Sequence, residues 1–125
     1  MKKIISTPNA PKTIGPYSQA VLVDNTLYCS GQIAINQKDE MLITSDITAE
    51  TKQIMQNLEA ILKEAEMTFS HVVKCSIFLK NMDQYAEVNK VYAKYFDKNP
   101  PAREAVEVSK LPKNVNVEIS LIAVK

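Results

Sequence analysis

Histidine, cysteine and glycine are scarce in this chain of 125 residues, which has one histidine, two cysteines and two glycines. No histidine or second cysteine stands at the spacing of metal ligands, so the sequence predicts no metal site. Cys29 and Cys75 lie in apolar, strand-like runs, where free cysteine is usually buried. We therefore expect two reduced, buried thiols rather than a disulfide.

Long apolar runs and clustered charges are also absent. No run approaches the roughly 20 apolar residues of a membrane helix, and residues 1–8 lack the apolar core of a signal peptide. The net charge is +1 and the lysines are scattered, so no basic stripe predicts binding to nucleic acid. The apolar content of 46% is enough for a buried core. We expect a single cytoplasmic domain over residues 1–125, with neither a membrane nor a nucleic-acid partner.

Strand-like and helical patterns follow one another in the order β-β-β-α-β-α-β-β. Short β-rich runs at 20–23 and 26–30 flank a turn, and residues 72–79 form another strand. Ser45 or Asp46 can cap a helix that continues to about residue 65, and Asn81 can cap a second helix with an aromatic face. Two helices can cover only one face of about six strands. The other face must meet solvent or another subunit, which predicts an oligomer.

Arg103 lies in a strand-like run that follows Pro100-Pro101. A guanidinium on a strand is a rigid fork that suits a carboxylate or a phosphate. A second apolar run, 115–124, contains Glu118, and the two runs predict a hairpin. Matching the apolar faces of residues 106–108 and 115–117 puts Arg103 and Glu118 diagonally on one face, within reach at about 7–8 Å. This polar face should be the one that the helices leave bare.

Two interpretations of this pair stay open at this point. The first is a small-molecule site, in which Arg103 binds an anion and Glu118 supplies an acceptor. The second is an ordinary cross-strand salt bridge on a solvated sheet, which contributes little to stability.

Several separated segments, in order and at nearly constant spacing, resemble the signatures of the RidA (YjgF) family. The N-terminal segment is Ile14-Gly15-Pro16-Tyr17-Ser18-Gln19-Ala20, and Ser30-Gly31-Gln32 follows it. Val88-Asn89 with Tyr92 matches the family's second helix. The C-terminal segments are Pro101-Ala102-Arg103, Val106-Glu107-Val108, Leu111-Pro112-Lys113 and Val117-Glu118-Ile119.

The resemblance implies a chorismate-mutase-like α+β fold, with a mixed sheet of about six strands and two helices on one face. It also implies a homotrimer with sites in the clefts between subunits. The implied activity is that of an enamine/imine deaminase without a cofactor. Such an enzyme hydrolyses 2-iminobutanoate and 2-iminopropanoate (2-aminoacrylate), released by pyridoxal-phosphate-dependent dehydratases, to 2-oxo acids and ammonia.

The resemblance also implies roles for individual residues. Arg103 should clamp the substrate carboxylate, and Glu118 should hold the attacking water. The expected substrate-binding residues are Tyr17, Ser30, Gly31, Asn89 and Ala105. Ala105 stands where many members have cysteine, so it can act only through its backbone. Glu104 replaces a common serine, which bears on substrate preference more than on the reaction.

Two other functions compete with the imine hydrolase. The same residues would serve a non-enzymatic protein that binds 2-oxo acids or related small carboxylates. A ribonuclease or translation inhibitor ranks third, because RNA cleavage favours a histidine or lysine base in a basic groove. The sequence shows neither feature clearly.

Overall fold

The computed structural model describes residues 1–125, and its elements follow the predicted order. The strands and helices are Lys2–Ile5 (β1), Ala20–Val23 (β2), Thr26–Gln32 (β3), Ile47–Glu64 (α1), Val72–Leu79 (β4), Tyr85–Ala93 (α2), Ala102–Glu107 (β5) and Val117–Val124 (β6). Short 3₁₀ turns cover Phe69–His71, Met82–Gln84 and Pro112–Asn114. No helix is long and apolar enough to cross a membrane.

The six strands form one mixed sheet in the order β1-β2-β3-β6-β4-β5. All neighbours are antiparallel except β4 and β5, which are parallel. The predicted hairpin of β5 and β6 is therefore wrong, since β4 lies between them. α2 connects β4 to β5, and a helical crossover returns the chain parallel to the strand it left. Residues 108–116 then carry the chain past β4, so that β6 fills the gap beside β3.

Both helices pack on one face of this sheet, as predicted. The Asp46 side chain caps α1 by accepting a hydrogen bond from the Thr48 N–H at 2.8 Å. The apolar stripe of α1 is buried against the alternate side chains of the central strands. The fully or nearly fully buried members of this core include Ile54, Leu58, Ile61 and Leu62 of α1, and Leu27, Ile77, Leu79, Val117, Ile119 and Leu121 of the sheet.

The start of α2 differs slightly from the prediction. Asn81 accepts a hydrogen bond from the Asp83 N–H at 2.9 Å, but it caps the 3₁₀ turn, and α2 begins only at Tyr85. The aromatic face contributes to the core, as expected. Phe96 is buried and meets Phe69 edge-on, with 5.3 Å between the ring centroids.

Cys29 and Cys75 are buried free thiols, as predicted. Leu121 of β6 lies between them in the register, so their backbones are about 10 Å apart across two strand spacings. That separation exceeds the reach of a disulfide. Burial raises the pKa of Cys29 to about 12 and also raises the pKa of Cys75, so both thiols stay protonated.

A buried carboxylate, which the helical pattern did not reveal, joins α1 to the start of β6. Glu50 is fully buried in the first turn of α1. One carboxylate oxygen accepts from the backbone N–H groups of Asn116 at 2.9 Å and Val117 at 3.3 Å, and the other accepts from the Asn116 amide at 2.8 Å. A helix N-terminus also favours the negative charge. Glu50 thus fixes where β6 begins beneath α1.

Replacing Glu50 by glutamine should destabilise the fold. Glutamine keeps one acceptor oxygen, but its NH₂ group would face N–H donors of Asn116 or Val117. These buried donors would then lose their hydrogen-bond acceptor. We expect the free energy of unfolding to fall by about 1–3 kcal/mol in urea denaturation. Glu64→Gln is the matched control, since Glu64 is an exposed carboxylate on the same helix. Equal urea midpoints for the two variants would contradict this role of Glu50.

Candidate active site

Arg103 and Glu118 lie on opposite faces of the sheet, so their predicted juxtaposition on one face is wrong for a single chain. Arg103 is paired in register with Cys75, and Glu118 is paired with Phe78. Both partners belong to β4 and are an odd number of residues apart, so they face opposite ways. Arg103 faces the helices, whereas Glu118 faces the bare side. The error follows from the assumed hairpin, because the register with β4 decides both faces.

Arg103 lies on β5, the edge strand, where α2 holds its guanidinium. Nη1 donates a hydrogen bond to Asn89 Oδ1 at 2.7 Å, and Nη2 donates to the hydroxyl of Tyr85. The guanidinium carbon also lies 4.9 Å from the ring centroid of Tyr92 and 5.4 Å from that of Tyr85. Both distances are within the range of a cation–π interaction. Three α2 side chains therefore fix the position of one half-buried cation.

No carboxylate compensates the charge of Arg103. The only ion pair in the chain joins Lys74 Nζ to Glu104 Oε1 at 3.0 Å, on the opposite face of the sheet. The alternative interpretation of Arg103 as a cross-strand salt bridge is therefore wrong. A half-buried cation held only by neutral oxygens and aromatic faces keeps a strong attraction for an anion. This arrangement is typical of a binding group rather than of a structural ion pair.

Glu104 belongs to a separate polar contact. A hydrogen bond from Ser76 and the nearby ammonium of Lys74 lower the pKa of the Glu104 carboxyl. This exposed group is already paired, so it does not compete for the guanidinium of Arg103.

A cavity of about 540 Å³ lies beside Glu118 and contains three of the other predicted site residues. Tyr17, Ser30 and Gly31 line it together with Glu118. The Ser30 hydroxyl donates to the Ser18 carbonyl at 2.6 Å, so it ties the N-terminal loop to β3. Tyr17 is half-exposed, and its hydroxyl accepts a hydrogen bond from the Ile14 N–H at 3.4 Å. The remaining lining residues are Pro11, Lys12, Thr13, Ile14, Gln32, Ile33, Ile35, Pro112 and Lys113.

Gly31 makes room for the Glu118 side chain. The pairing of β3 with β6 shifts register between Cys29 and Gln32, so the ladder is irregular at Gly31. A Cβ atom at position 31 would lie 2.8 Å from Glu118 Cδ and 3.0 Å from its Cγ, which is closer than real contacts allow. Only glycine lets the Glu118 carboxylate lie directly against this strand.

Burial raises the pKa of Glu118, and neither a hydrogen bond nor a neighbouring charge offsets this effect. Its carboxylate is therefore more basic than that of an ordinary glutamate. A proton acceptor of this kind, beside an open cavity, suits a water molecule that must lose a proton during attack.

Asn89 and Ala105 accompany Arg103 rather than the cavity. Asn89, predicted to bind substrate, hydrogen-bonds the guanidinium within the chain. Ala105 lies two residues beyond Arg103 on the same face of β5, where it is half-buried and paired with Ile77. The predicted site residues therefore form two groups: Arg103, Asn89 and Ala105 near α2, and Tyr17, Ser30, Gly31 and Glu118 around the cavity.

Sequence reasoning missed Tyr85, which it assigned only to the aromatic core face of α2. Tyr85 and Asn89 are four residues apart, so they share one side of the helix and point at the same strand. That spacing was the available signal. No group of three or more His, Cys, Asp or Glu side chains could hold a metal ion, and His71 accepts a hydrogen bond from the Thr68 N–H at 2.9 Å.

The fold and these two groups define a class of protein, a small α+β domain with two helices on one face of a six-stranded sheet. An arginine without a counterion lies on the edge strand, and a cavity lined by a glutamate lies on the other face. Residues 7–125 match the family model described as Endoribonuclease L-PSP. The chain belongs to this family, the RidA (YjgF) family, as its sequence signatures predicted.

Known relatives cover nearly the whole chain. The human 2-iminobutanoate/2-iminopropanoate deaminase is 42% identical over 125 residues, spanning 100% of this chain and 91% of the human protein. The Rid family protein YyfA from Yersinia pestis superposes with a TM-score of 0.95 at 46% identity and 100% coverage of both chains. Escherichia coli TdcF, solved with bound serine, gives a TM-score of 0.95 at 33% identity and 98% coverage of both chains.

The substitution Gly31→Ala should displace the Glu118 carboxylate with little loss of stability, because a side chain can move more cheaply than a strand. A crystal structure of the variant should show Glu118 in another rotamer, and the free energy of unfolding should change by about 1–2 kcal/mol at most. In a Glu118→Ala background, Gly31→Ala should have no further effect on stability. An unmoved Glu118 in the variant would contradict the steric argument.

Proposed function

We propose that this protein is an imine deaminase, which hydrolyses 2-iminobutanoate and 2-iminopropanoate, and the enamine 2-aminoacrylate, to 2-oxo acids and ammonia. The observation that carries the proposal is the half-buried guanidinium of Arg103, which neutral groups hold without a counterion. Such a group binds a planar carboxylate well. The name of the human relative, an imine deaminase at 42% identity, supports the same reaction.

The reaction places few demands on the protein. The enamine first becomes the imine by gaining a proton on its terminal carbon and losing one from nitrogen. Water then adds to the carbon of the C=N bond, and the resulting amino alcohol loses ammonia to leave the 2-oxo acid. In this mechanism Arg103 binds the substrate carboxylate, and Glu118 holds the attacking water. The raised pKa of Glu118 suits this carboxylate to accept a proton from the water and later to donate that proton to the leaving nitrogen. Tyr17 and the Ser30-Gly31 segment line the cavity around the imine, and Ala105 contributes through its backbone. These roles need no cofactor.

We further propose that the site is completed between subunits of a homotrimer. Arg103 and Glu118 point away from each other across strands whose axes are about 10 Å apart, which a four-carbon ligand cannot span. Arg103 of one subunit would approach the Glu118 cavity of its neighbour. Exposed apolar side chains on the bare face, such as Tyr28 and Val106, support an interface on that side.

The ligand seen in TdcF supports the proposed substrate class. Serine carries its amino group and carboxylate on one carbon, as an imino acid carries its nitrogen and carboxylate. A site with a carboxylate clamp on one side and a water-holding glutamate on the other fits that arrangement. Orienting the imine and the water in this way supplies a large part of the rate acceleration.

The direct test is the release of 2-oxo acid from imine generated by a threonine or serine dehydratase, with semicarbazide as the competing trap. The wild-type protein should speed release, and Arg103→Ala should lower kcat/KM at least about tenfold, because a charge-assisted hydrogen bond contributes about 1.5–3 kcal/mol. Lys110→Ala, an exposed cation after the same strand, is the matched control. Measurable binding of 2-oxobutanoate without any acceleration would instead favour a non-enzymatic carboxylate-binding protein.

Mixing two inactive variants tests the composite site. Arg103→Ala and Glu118→Gln chains should each be inactive alone. If each site combines Arg103 of one subunit with Glu118 of the next, random hybrid trimers should have about one quarter of their sites intact. Co-expressed variants should therefore regain a corresponding share of wild-type activity. Hybrid trimers without activity, or a monomer mass by light scattering, would contradict the arrangement.

A further inference from the structure

The orientation of Arg103 depends on α2 rather than on its own strand. Tyr85 lies in the first turn of α2 and Asn89 one turn later, so their side chains project from the same side of the helix toward β5. Each supplies one neutral oxygen to a different terminal nitrogen of the guanidinium. The two contacts hold both ends of the fork at once.

Three N–H donors of the guanidinium remain for a ligand. An arginine has five N–H groups, and these two contacts use one on Nη1 and one on Nη2. One N–H on each terminal nitrogen and the Nε–H are left. These remaining donors lie in one plane and can bind both oxygens of a carboxylate. The direction in which they point is set by the two contacts from α2.

The aromatic rings restrict the guanidinium further. The ring centroids of Tyr85 and Tyr92 lie 5.4 and 4.9 Å from its central carbon. Tyr92 is only 6% exposed and packs against Phe96, with 4.7 Å between the ring centroids. Its ring is therefore held in place and limits the movement of the guanidinium. The buried hydroxyl of Tyr92 makes no hydrogen bond to the guanidinium, so the Tyr85 hydroxyl is the tyrosine oxygen that holds Arg103.

We propose that Tyr85 is a positioning residue, whose hydroxyl orients Arg103 so that the remaining N–H groups of the guanidinium align with both oxygens of the substrate carboxylate. This inference rests on the proposed function of Arg103 as the carboxylate clamp. A guanidinium with Asn89 as its one hydrogen-bond partner can turn about that contact between the aromatic rings, so it spends less time in the productive geometry. The loss falls on the binding of ligands that carry a carboxylate.

Tyr85→Phe isolates the hydroxyl, because phenylalanine keeps the ring next to Arg103. We expect KM for the imine to rise about 5- to 10-fold, which is less than for the loss of a direct charged contact, because the lost hydrogen bond orients the guanidinium and does not itself touch the substrate. The turnover number should change less than about twofold, because the clamp acts equally in the ground and transition states. The dissociation constant for 2-oxobutanoate, measured by calorimetry, should rise by the same factor as KM. Tyr95→Phe is the matched control, since Tyr95 packs on Phe69 and does not contact Arg103.

A double-mutant cycle separates positioning from simple packing. In an Arg103→Lys background, which keeps the charge but loses the fork, Tyr85→Phe should change kcat/KM by less than about twofold, because the hydroxyl acts through the guanidinium. Full additivity of the two substitutions would overturn the inference. So would unchanged KM and 2-oxobutanoate binding in Tyr85→Phe, or a parallel change in the Tyr95→Phe control.

The outcomes also separate this inference from the proposed function. An active wild-type protein that needs Arg103 but tolerates Tyr85→Phe overturns the inference alone. A wild-type protein without deaminase activity overturns the proposed function, while the effect of Tyr85→Phe on 2-oxobutanoate binding still decides the role of Tyr85. If the wild-type protein neither reacts nor binds 2-oxobutanoate, both proposals fail.

Discussion

The insertion of β6 between β3 and β4 decides how the two charged groups of the site are placed in the sheet. It brings Glu118 against Gly31 of β3, and it separates β6 from β5, which carries Arg103. The buried carboxylate of Glu50 fixes the start of this strand through three hydrogen bonds from Asn116 and Val117. Because one strand is paired on both sides, its register sets both the cavity and the faces on which the two charged groups appear.

The two charged groups of the site owe their chemistry to the same cause, which is partial burial without a compensating charge. Burial raises the pKa of Glu118 and makes its carboxylate a better base. Arg103, the only arginine in the chain, is surrounded by Tyr85, Asn89 and Tyr92, none of which neutralises it. Structural ion pairs would have quenched both groups. Their separation on opposite faces keeps them from pairing within one chain.

Local patterns predicted the elements well and their arrangement less well. Periodicity predicted α1 with a cap at Ser45 or Asp46, of which Asp46 is the cap, and alternation predicted the strand at residues 72–79. The prediction that β5 and β6 form a hairpin was wrong, because matching apolar faces cannot tell sequence neighbours from strands that a third strand separates. Glu50 was missed for a related reason, since its partners are 66 and 67 residues away.

The sequence by itself determined the class of fold, the family and the residues that we propose for the site, because propensities, capping and short signatures are local properties of the chain. The tertiary structure decided the faces of Arg103 and Glu118, the absence of an ion pair between them and the support of Arg103 by Tyr85. These depend on strand order and on the docking of α2, which are contacts between distant segments. The sequence gives the identity of each side chain, but its contacts and the charges around it depend on how distant segments pack together.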